Sequence, residues 1–143
     1  MVVLTVTWMC AACDTVDGGA AELSWKLRPS SSDLADKFVD CDSGEVGTGP
    51  ITAIQLKWQV GDEVGLDEWS CGDSHGVTGF ALPPGSALFS VVPICGIAEA
   101  SPDSYIAPPV QQRNVILGNT VSLGAIELVV NVSQCGPTRC ICN

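Results

Sequence analysis

Apolar and polar residues alternate in two stretches of the chain. Across residues 21–28 the odd positions are apolar and the even positions are polar. Residues 52–60 alternate in a similar way, and the face that we expect to be buried comprises Thr52, Ile54, Leu56, Trp58 and Val60. A period of two is typical of a β-strand with one buried face. We therefore predict two strands here, with Trp25 and Trp58 in the core.

The segments around the second strand are rich in residues that favour turns. Residues 28–50 are dense in Ser, Asp, Gly and Pro, which predicts a long surface connection. Only residues 32–38 have a composition that allows a short helical turn, with Ser32 as its cap. A further turn is predicted within residues 60–68.

The second half of the chain reads as further short strands. The turn sequence at residues 83–85 is Pro-Pro-Gly, which predicts a hairpin-like connection between strands at residues 77–82 and 86–95. Two more strands are expected at residues 113–117 and 121–133, hinged on residues 118–119. The sequence therefore predicts an all-β fold, an antiparallel β-sandwich of about seven strands, in a single domain over residues 14–143.

The cysteines predict disulfide bonds. The chain has 8 cysteines, and an even number in a loop-rich chain is typical of disulfides formed in an oxidising compartment. The expected disulfide set is Cys41, Cys71, Cys95, Cys135, Cys140 and Cys142, whose pairing the sequence leaves open. An alternative is a zinc or thiol redox site formed by Cys10, Cys13, Cys140 and Cys142.

Residues 1–13 have two interpretations. They form an uncharged, mostly apolar run, too short to span a bilayer but about as long as the hydrophobic part of an export signal. The run ends in the small residues Ala11 and Ala12 before Cys13. However, residues 2–8 also alternate and include β-branched side chains, which favours a first strand. Both interpretations stay open at this point.

Charge excludes several classes of partner. The chain has 6 basic and 16 acidic residues, and its net charge is -10. Such a chain cannot neutralise a phosphate backbone, so we expect no nucleic acid partner. Lys and Arg form no cluster, which also excludes a polybasic membrane-binding patch.

The only histidine, His75, follows Asp73 and Ser74 directly. These are the residue types of a catalytic triad, but a triad needs side chains that converge from separate parts of the fold. Consecutive residues point apart, and the G-x-S-x-G elbow is absent. We therefore expect a polar turn here, a protein that is not an enzyme, and no cofactor.

Two acidic loops and one tryptophan offer a possible ligand site. Carboxylates recur at residues 40–45 and 62–68, and calcium prefers such oxygen ligands. Neither cluster matches the D-x-[DN]-x-[DN]-G pattern, so a solvated acidic rim is the simpler expectation, with no resident metal. The candidate ligand-binding residues are Trp69, Asp67, Glu68 and Asp73.

Residues 76–95, GVTGFALPPGSALFSVVPIC, resemble the Pro-Gly turn modules of carboxypeptidase-regulatory, transthyretin-like β-sandwiches. Residues 20–142 more loosely resemble the small cysteine-containing surface lipoproteins of myxobacteria and related bacteria, through strands such as ELSWKLR and LKWQV. This resemblance implies that residues 1–13 are the remnant of a lipoprotein signal. It also implies that Cys13 carries the lipid and becomes the new N-terminus.

Together these observations predict an extracytoplasmic, structural or adhesive lipoprotein domain of the bacterial cell envelope. Its expected partners are the membrane, through the lipid anchor, and an envelope protein or a glycan. The domain is expected to be periplasmic or surface-exposed. The alternative is a carbohydrate- or calcium-binding β-sandwich module.

Overall fold

The computed structural model describes residues 16–30, 41, 51–96 and 98–130. These residues form two sheets, with the strand orders β4-β1-β9-β7 and β3-β2-β5-β6, and β8 also pairs with β5. The strands are β1 (Ala20–Pro29), β2 (Ile51–Val60), β3 (Glu63–Ser70), β4 (His75–Val77), β5 (Gly85–Cys95), β6 (Ala98–Glu99), β7 (Tyr105–Ile106), β8 (Gln111–Val115) and β9 (Thr120–Val130). A short 3-10 turn, Cys71–Asp73, joins β3 to β4.

The two sheets pack face to face around one hydrophobic core, which confirms the predicted β-sandwich. Each sheet contributes one face of alternating apolar residues, because side chains alternate across a strand. The described residues contain nine strands rather than about seven, and three of these have only two or three residues. We call the sheet that contains β1 the first sheet and the sheet that contains β2 the second sheet.

The alternation in β1 and β2 has the predicted effect. In β1, the inward side chains of Leu23, Trp25 and Leu27 are at most 3% exposed. In β2, Ile54 and Leu56 are fully buried. Trp58 is only half-buried, and Thr52 is exposed. The predicted inward face is therefore confirmed except at its first residue.

The first sheet contains one parallel pair. β1 and β9 run parallel from the Ala20–Thr120 pair to the Pro29–Val130 pair, whereas the other paired strands are antiparallel. Parallel neighbours need a long crossover connection, and here most of the described domain separates the two strands. The sandwich is thus mainly, but not wholly, antiparallel.

The Pro-Pro-Gly sequence does not form a hairpin, so this prediction is wrong. Strand β4 ends at Val77, and β5 belongs to the other sheet. Between them, the Thr78 hydroxyl accepts a hydrogen bond from the Ala21 amide at 2.9 Å, and Leu82 forms an isolated bridge with Gly19. The prolines lack an amide hydrogen and therefore suit a crossing between sheets as well as a turn.

The turn predicted over residues 60–68 is correct only at residues 61–62. The following residues form β3, which pairs with β2 along its whole length. The sequence signal is weak because Val64 and Leu66 face solvent, while Gly65 and Asp67 occupy the other face. Backbone pairing with β2, rather than a buried apolar face, is what defines this strand.

Several predictions lie outside the described residues. They are the signal or first strand at residues 1–13, the helical turn at residues 32–38, and the cysteines at positions 135, 140 and 142.

Candidate functional site

A groove with apolar walls lies on the outer face of the second sheet. Val64 and Leu66 of β3 form one wall, and Leu88 of β5 and Val110, which precedes β8, form the other. These four side chains are 72%, 59%, 45% and 61% exposed, in that order. We call this feature the outer groove, and its volume is about 590 Å³.

Strand register brings these separated residues together. Lys57 on β2 is paired with Leu66 on one side and with Ser90 on the other. One step along the strand, Gln59 is flanked in the same way by Val64 and Leu88. Paired residues share a face of the sheet, so the outer groove has apolar walls and a polar floor.

A tryptophan on the opposite face supports the β3 wall. The Trp58 ring lies against Gly65, where an added Cβ would come within 2.2 Å of the ring carbon Cζ2. The indole Nε1 donates a hydrogen bond to the Asp67 carboxylate at 3.1 Å. An aromatic ring over a cross-strand glycine shields a weak point of the sheet. These contacts hold β3 beside β2.

Carboxylates lie on and beside strand β3. Lys57 on the floor forms an ion pair with Glu99, which offsets its charge. Glu68 accepts a hydrogen bond from the Gln55 side-chain amide at 3.1 Å. Asp62 and Glu63 lie at the start of β3 and are exposed. The carboxylates around the β3 wall therefore outnumber the one paired ammonium group.

The Lys57–Glu99 ion pair also affects the pKa of Tyr105. Partial burial raises the pKa of the Tyr105 phenol above its ordinary value of 10.0. The Glu99 carboxylate raises this pKa further, and the Lys57 ammonium lowers it. Tyr105 is the only tyrosine in the chain, so its titration can be followed without interference.

We expect the Tyr105 pKa to fall in the Glu99→Gln variant. Removing the carboxylate removes a negative charge that disfavours the phenolate. Absorbance at a phenolate wavelength gives the midpoint, and Glu127→Gln, whose ion pair with Arg28 lies on the first sheet, is the matched control. An unchanged midpoint in Glu99→Gln would contradict the assignment.

The raised pKa also has a consequence for stability. The pKa of this phenol is higher in the folded than in the unfolded state. Its contribution to stability is therefore fully present at pH values below the pKa of the unfolded state. This contribution is lost as the pH rises through the folded pKa. Urea unfolding at a series of alkaline pH values should show that the free energy of unfolding falls as the pH rises. This fall should be smaller in Glu99→Gln than in the unsubstituted protein.

The four predicted ligand-binding residues do not share one surface. Asp67 and Trp69 lie on the face of β3 that turns toward the core, and Glu68 lies on the outer face. Asp73 is exposed in the 3-10 turn. Carbohydrate or calcium binding at these residues stays a prediction, which glycan-array binding or a calcium-dependent rise in Tm would test.

Trp69 packs against the core. An added Cβ at Gly76 would come within 2.3 Å of the Trp69 ring, so one face of the ring lies on this glycine. The centroids of the Trp69 and Trp25 rings are 6.2 Å apart, with an angle of 30° between their planes. The ring face on Gly76 is not available to stack on a sugar.

The described cysteines are oxidised. Cys41 and Cys71 form a disulfide with Cα atoms 5.9 Å apart, and Cys95 is also disulfide-bonded. The indole Nε1 of Trp25 donates to the Cys71 carbonyl oxygen at 2.8 Å, so the cross-link adjoins the core. The disulfide prediction is thus confirmed for three of its six cysteines. The four cysteines of the zinc alternative lie outside the described residues.

His75 lies on an exposed face of the first sheet. It is paired with Ser24 of β1 and borders a depression of about 190 Å³, together with Glu22 and Ser122. Ser74 ends the 3-10 turn with a φ of 58°, so the backbone turns sharply just before His75. Within the described part of the chain, no group of three or more His, Cys, Asp or Glu residues could hold a metal ion.

Compared with known proteins, the chain matches no family model, and neither a curated protein nor a solved structure matches it. No helix in the described ranges is long and apolar enough to cross a membrane.

Sequence reasoning missed the outer groove. Val64 and Leu66 lie within the turn predicted over residues 60–68, and the predicted hairpin places the strand of Leu88 beside residues 77–82 instead of beside β2. The available signal was the short alternation of Val64, Leu66 and Glu68 with Gly65 and Asp67. Without the register of β2, that signal does not show that two apolar walls face each other.

Proposed function

We propose that this protein is a non-enzymatic, extracytoplasmic domain with a structural or adhesive role in the bacterial cell envelope. The outer groove is the surface through which it would bind an envelope partner. The observation that carries this proposal is the exposure of four apolar side chains around one groove. Contiguous exposed apolar surface is uncommon on soluble domains and typically marks an interaction site.

The oxidised cysteines support a location outside the cytoplasm. Disulfides persist in oxidising compartments, and Cys41, Cys71 and Cys95 are all disulfide-bonded. The lipid anchor at Cys13 rests on the Ala11-Ala12-Cys13 sequence and on the resemblance to surface lipoproteins. A diacylated N-terminus would hold the domain at a membrane surface.

The test is mass spectrometry of the protein expressed with its genomic upstream region in a bacterial host, without reductant. We expect a mature chain that starts at diacylated Cys13 and has no free thiols. In cell fractions, Cys13→Ser should release the protein from the membrane. Cys10→Ser is the matched control, because Cys10 would be removed with the signal.

Three outcomes would contradict parts of this proposal. An unprocessed chain with oxidised cysteines would remove the anchor and make residues 2–8 a candidate strand. An unprocessed chain with free thiols would favour the zinc or redox alternative. Catalytic turnover that His75→Ala abolishes would show that the protein is an enzyme.

A further inference from the structure

Strand β3 forms an edge of the second sheet within the described residues. An edge strand exposes backbone N–H and C=O groups that can pair with another chain. Natural proteins commonly protect such edges with lysine or proline, and residues 63–70 contain neither. The edge instead presents two exposed apolar side chains, Val64 and Leu66.

The two faces of β3 have different chemistry. Val64 and Leu66 point to the outer groove, whereas Glu63 and Asp67 lie on the opposite face. A strand paired with this edge would have the same alternation, because directly opposed residues share a face. Apolar side chains of the partner would extend the groove wall, and its other side chains would lie beside the two carboxylates.

We propose that residues 63–67 of the β3 edge bind an extended segment of another protein in which apolar residues alternate with lysine or arginine. This inference rests on the proposed function, since it names the chemistry of the partner at the outer groove. Addition of a strand to an exposed edge is an established mode of peptide recognition. Backbone hydrogen bonds supply affinity, and the alternating side chains supply specificity.

Charge selects the basic residues of the partner. One Asp67 carboxylate oxygen accepts the Trp58 hydrogen bond, and a carboxylate has lone pairs left for a second donor. Glu63 is exposed at the start of the strand. Both groups are two residues from Gly65 on the same face of β3, so they favour cations at alternate positions of the partner.

Charge also disfavours a second copy of this chain. The net charge of the chain is -10, and antiparallel pairing of two β3 edges would bring two acidic strands together. Like charges on adjacent strands are destabilising. An anionic membrane surface would be repelled for the same reason.

The test uses three synthetic ten-residue peptides that share the same alternating valines and differ in the intervening residues, which are lysine, serine or glutamate. Isothermal titration with the full chain gives each Kd. We expect the lysine peptide to bind about tenfold more tightly than the serine peptide, and the glutamate peptide more weakly than either. The advantage of lysine should shrink as salt is added.

Hydrogen exchange locates the binding. The lysine peptide should slow exchange of the amides of residues 63–67 and leave β4 and β7, at the edges of the first sheet, unchanged. Protection at another edge, or none with any peptide, would overturn the inference.

Variants separate the two faces. In the Glu63→Gln, Asp67→Asn double variant both carboxylates are lost but an acceptor for Trp58 remains, and the preference for lysine should disappear. Leu66→Ser should weaken the binding of the lysine peptide and of the serine peptide by the same factor. Ile106→Ser is the matched control, since Ile106 is 63% exposed but lies on β7 of the other sheet.

Failure of this inference differs from failure of the proposed function. Equal affinity for the lysine and serine peptides would overturn the charge assignment while leaving the groove as a binding surface. Self-association in sedimentation, with protection of residues 63–67, would assign the edge to a second copy and also overturn it. The proposed function itself depends on the mass of the mature chain and on the release of Cys13→Ser from the membrane.

Discussion

Phe89→Ala should lower the free energy of unfolding by about 3–5 kcal/mol. The Phe89 side chain is 1% exposed and is paired with Trp58 on the inner face of the second sheet. Removing the ring loses its transfer free energy and leaves a cavity that neighbouring strands cannot fill without shifting. Urea unfolding followed by tryptophan fluorescence gives the change.

The neighbouring residue provides the control. Leu88 is 45% exposed on the opposite face of β5, so Leu88→Ala should change stability by only about 0.5 kcal/mol. An equal loss in both variants would contradict the assignment of the two faces of β5.

Removing the Cys41–Cys71 disulfide should destabilise the domain by about 3–4 kcal/mol, the value that loop closure predicts for a loop of this size. The two cysteines are 30 residues apart, so the cross-link restricts a long segment of the unfolded chain. Cys41→Ala, Cys71→Ala and the double variant can be compared by urea unfolding without reductant.

A shared cross-link predicts a specific pattern among these variants. Either single substitution breaks the bond, so the double variant should be little less stable than the less stable single variant. Losses that simply add in the double variant would show that the two cysteines act independently.

The strands that bury one complete apolar face were predictable. In β1 the alternation is strong, because the inward side chains are apolar and meet the core while the outward ones are polar. The start of β5 is predicted by the Pro-Pro-Gly sequence before it rather than by alternation, since residues 87–94 are apolar on both faces except at Ser90. Strand β3 was missed since its exposed face carries the apolar residues. The hairpin at residues 83–85 was wrong because Pro and Gly report a change of direction but not the sheet to which the next strand belongs.

The candidate ligand-binding residues were also only partly predictable from the sequence. The sequence showed that acidic residues surround Trp69, but the structure separates Glu68 from Asp67 by placing them on opposite faces of one strand. It also commits one face of Trp69 to Gly76. Side-chain direction depends on whether a segment is a strand, and the sequence predicts a turn over residues 60–68.

The sequence by itself determined the class of the fold, the burial of β1 and the oxidation of the described cysteines. Each of these depends on local periodicity or on composition, which are properties of the chain before it folds. Only the tertiary structure decided that β1 and β9 lie parallel, that Cys41 pairs with Cys71 and that Val64 faces Leu88 across the floor of the outer groove. Such relations join residues far apart in the chain, and they are selected by the packing of both sheets together rather than by any local preference.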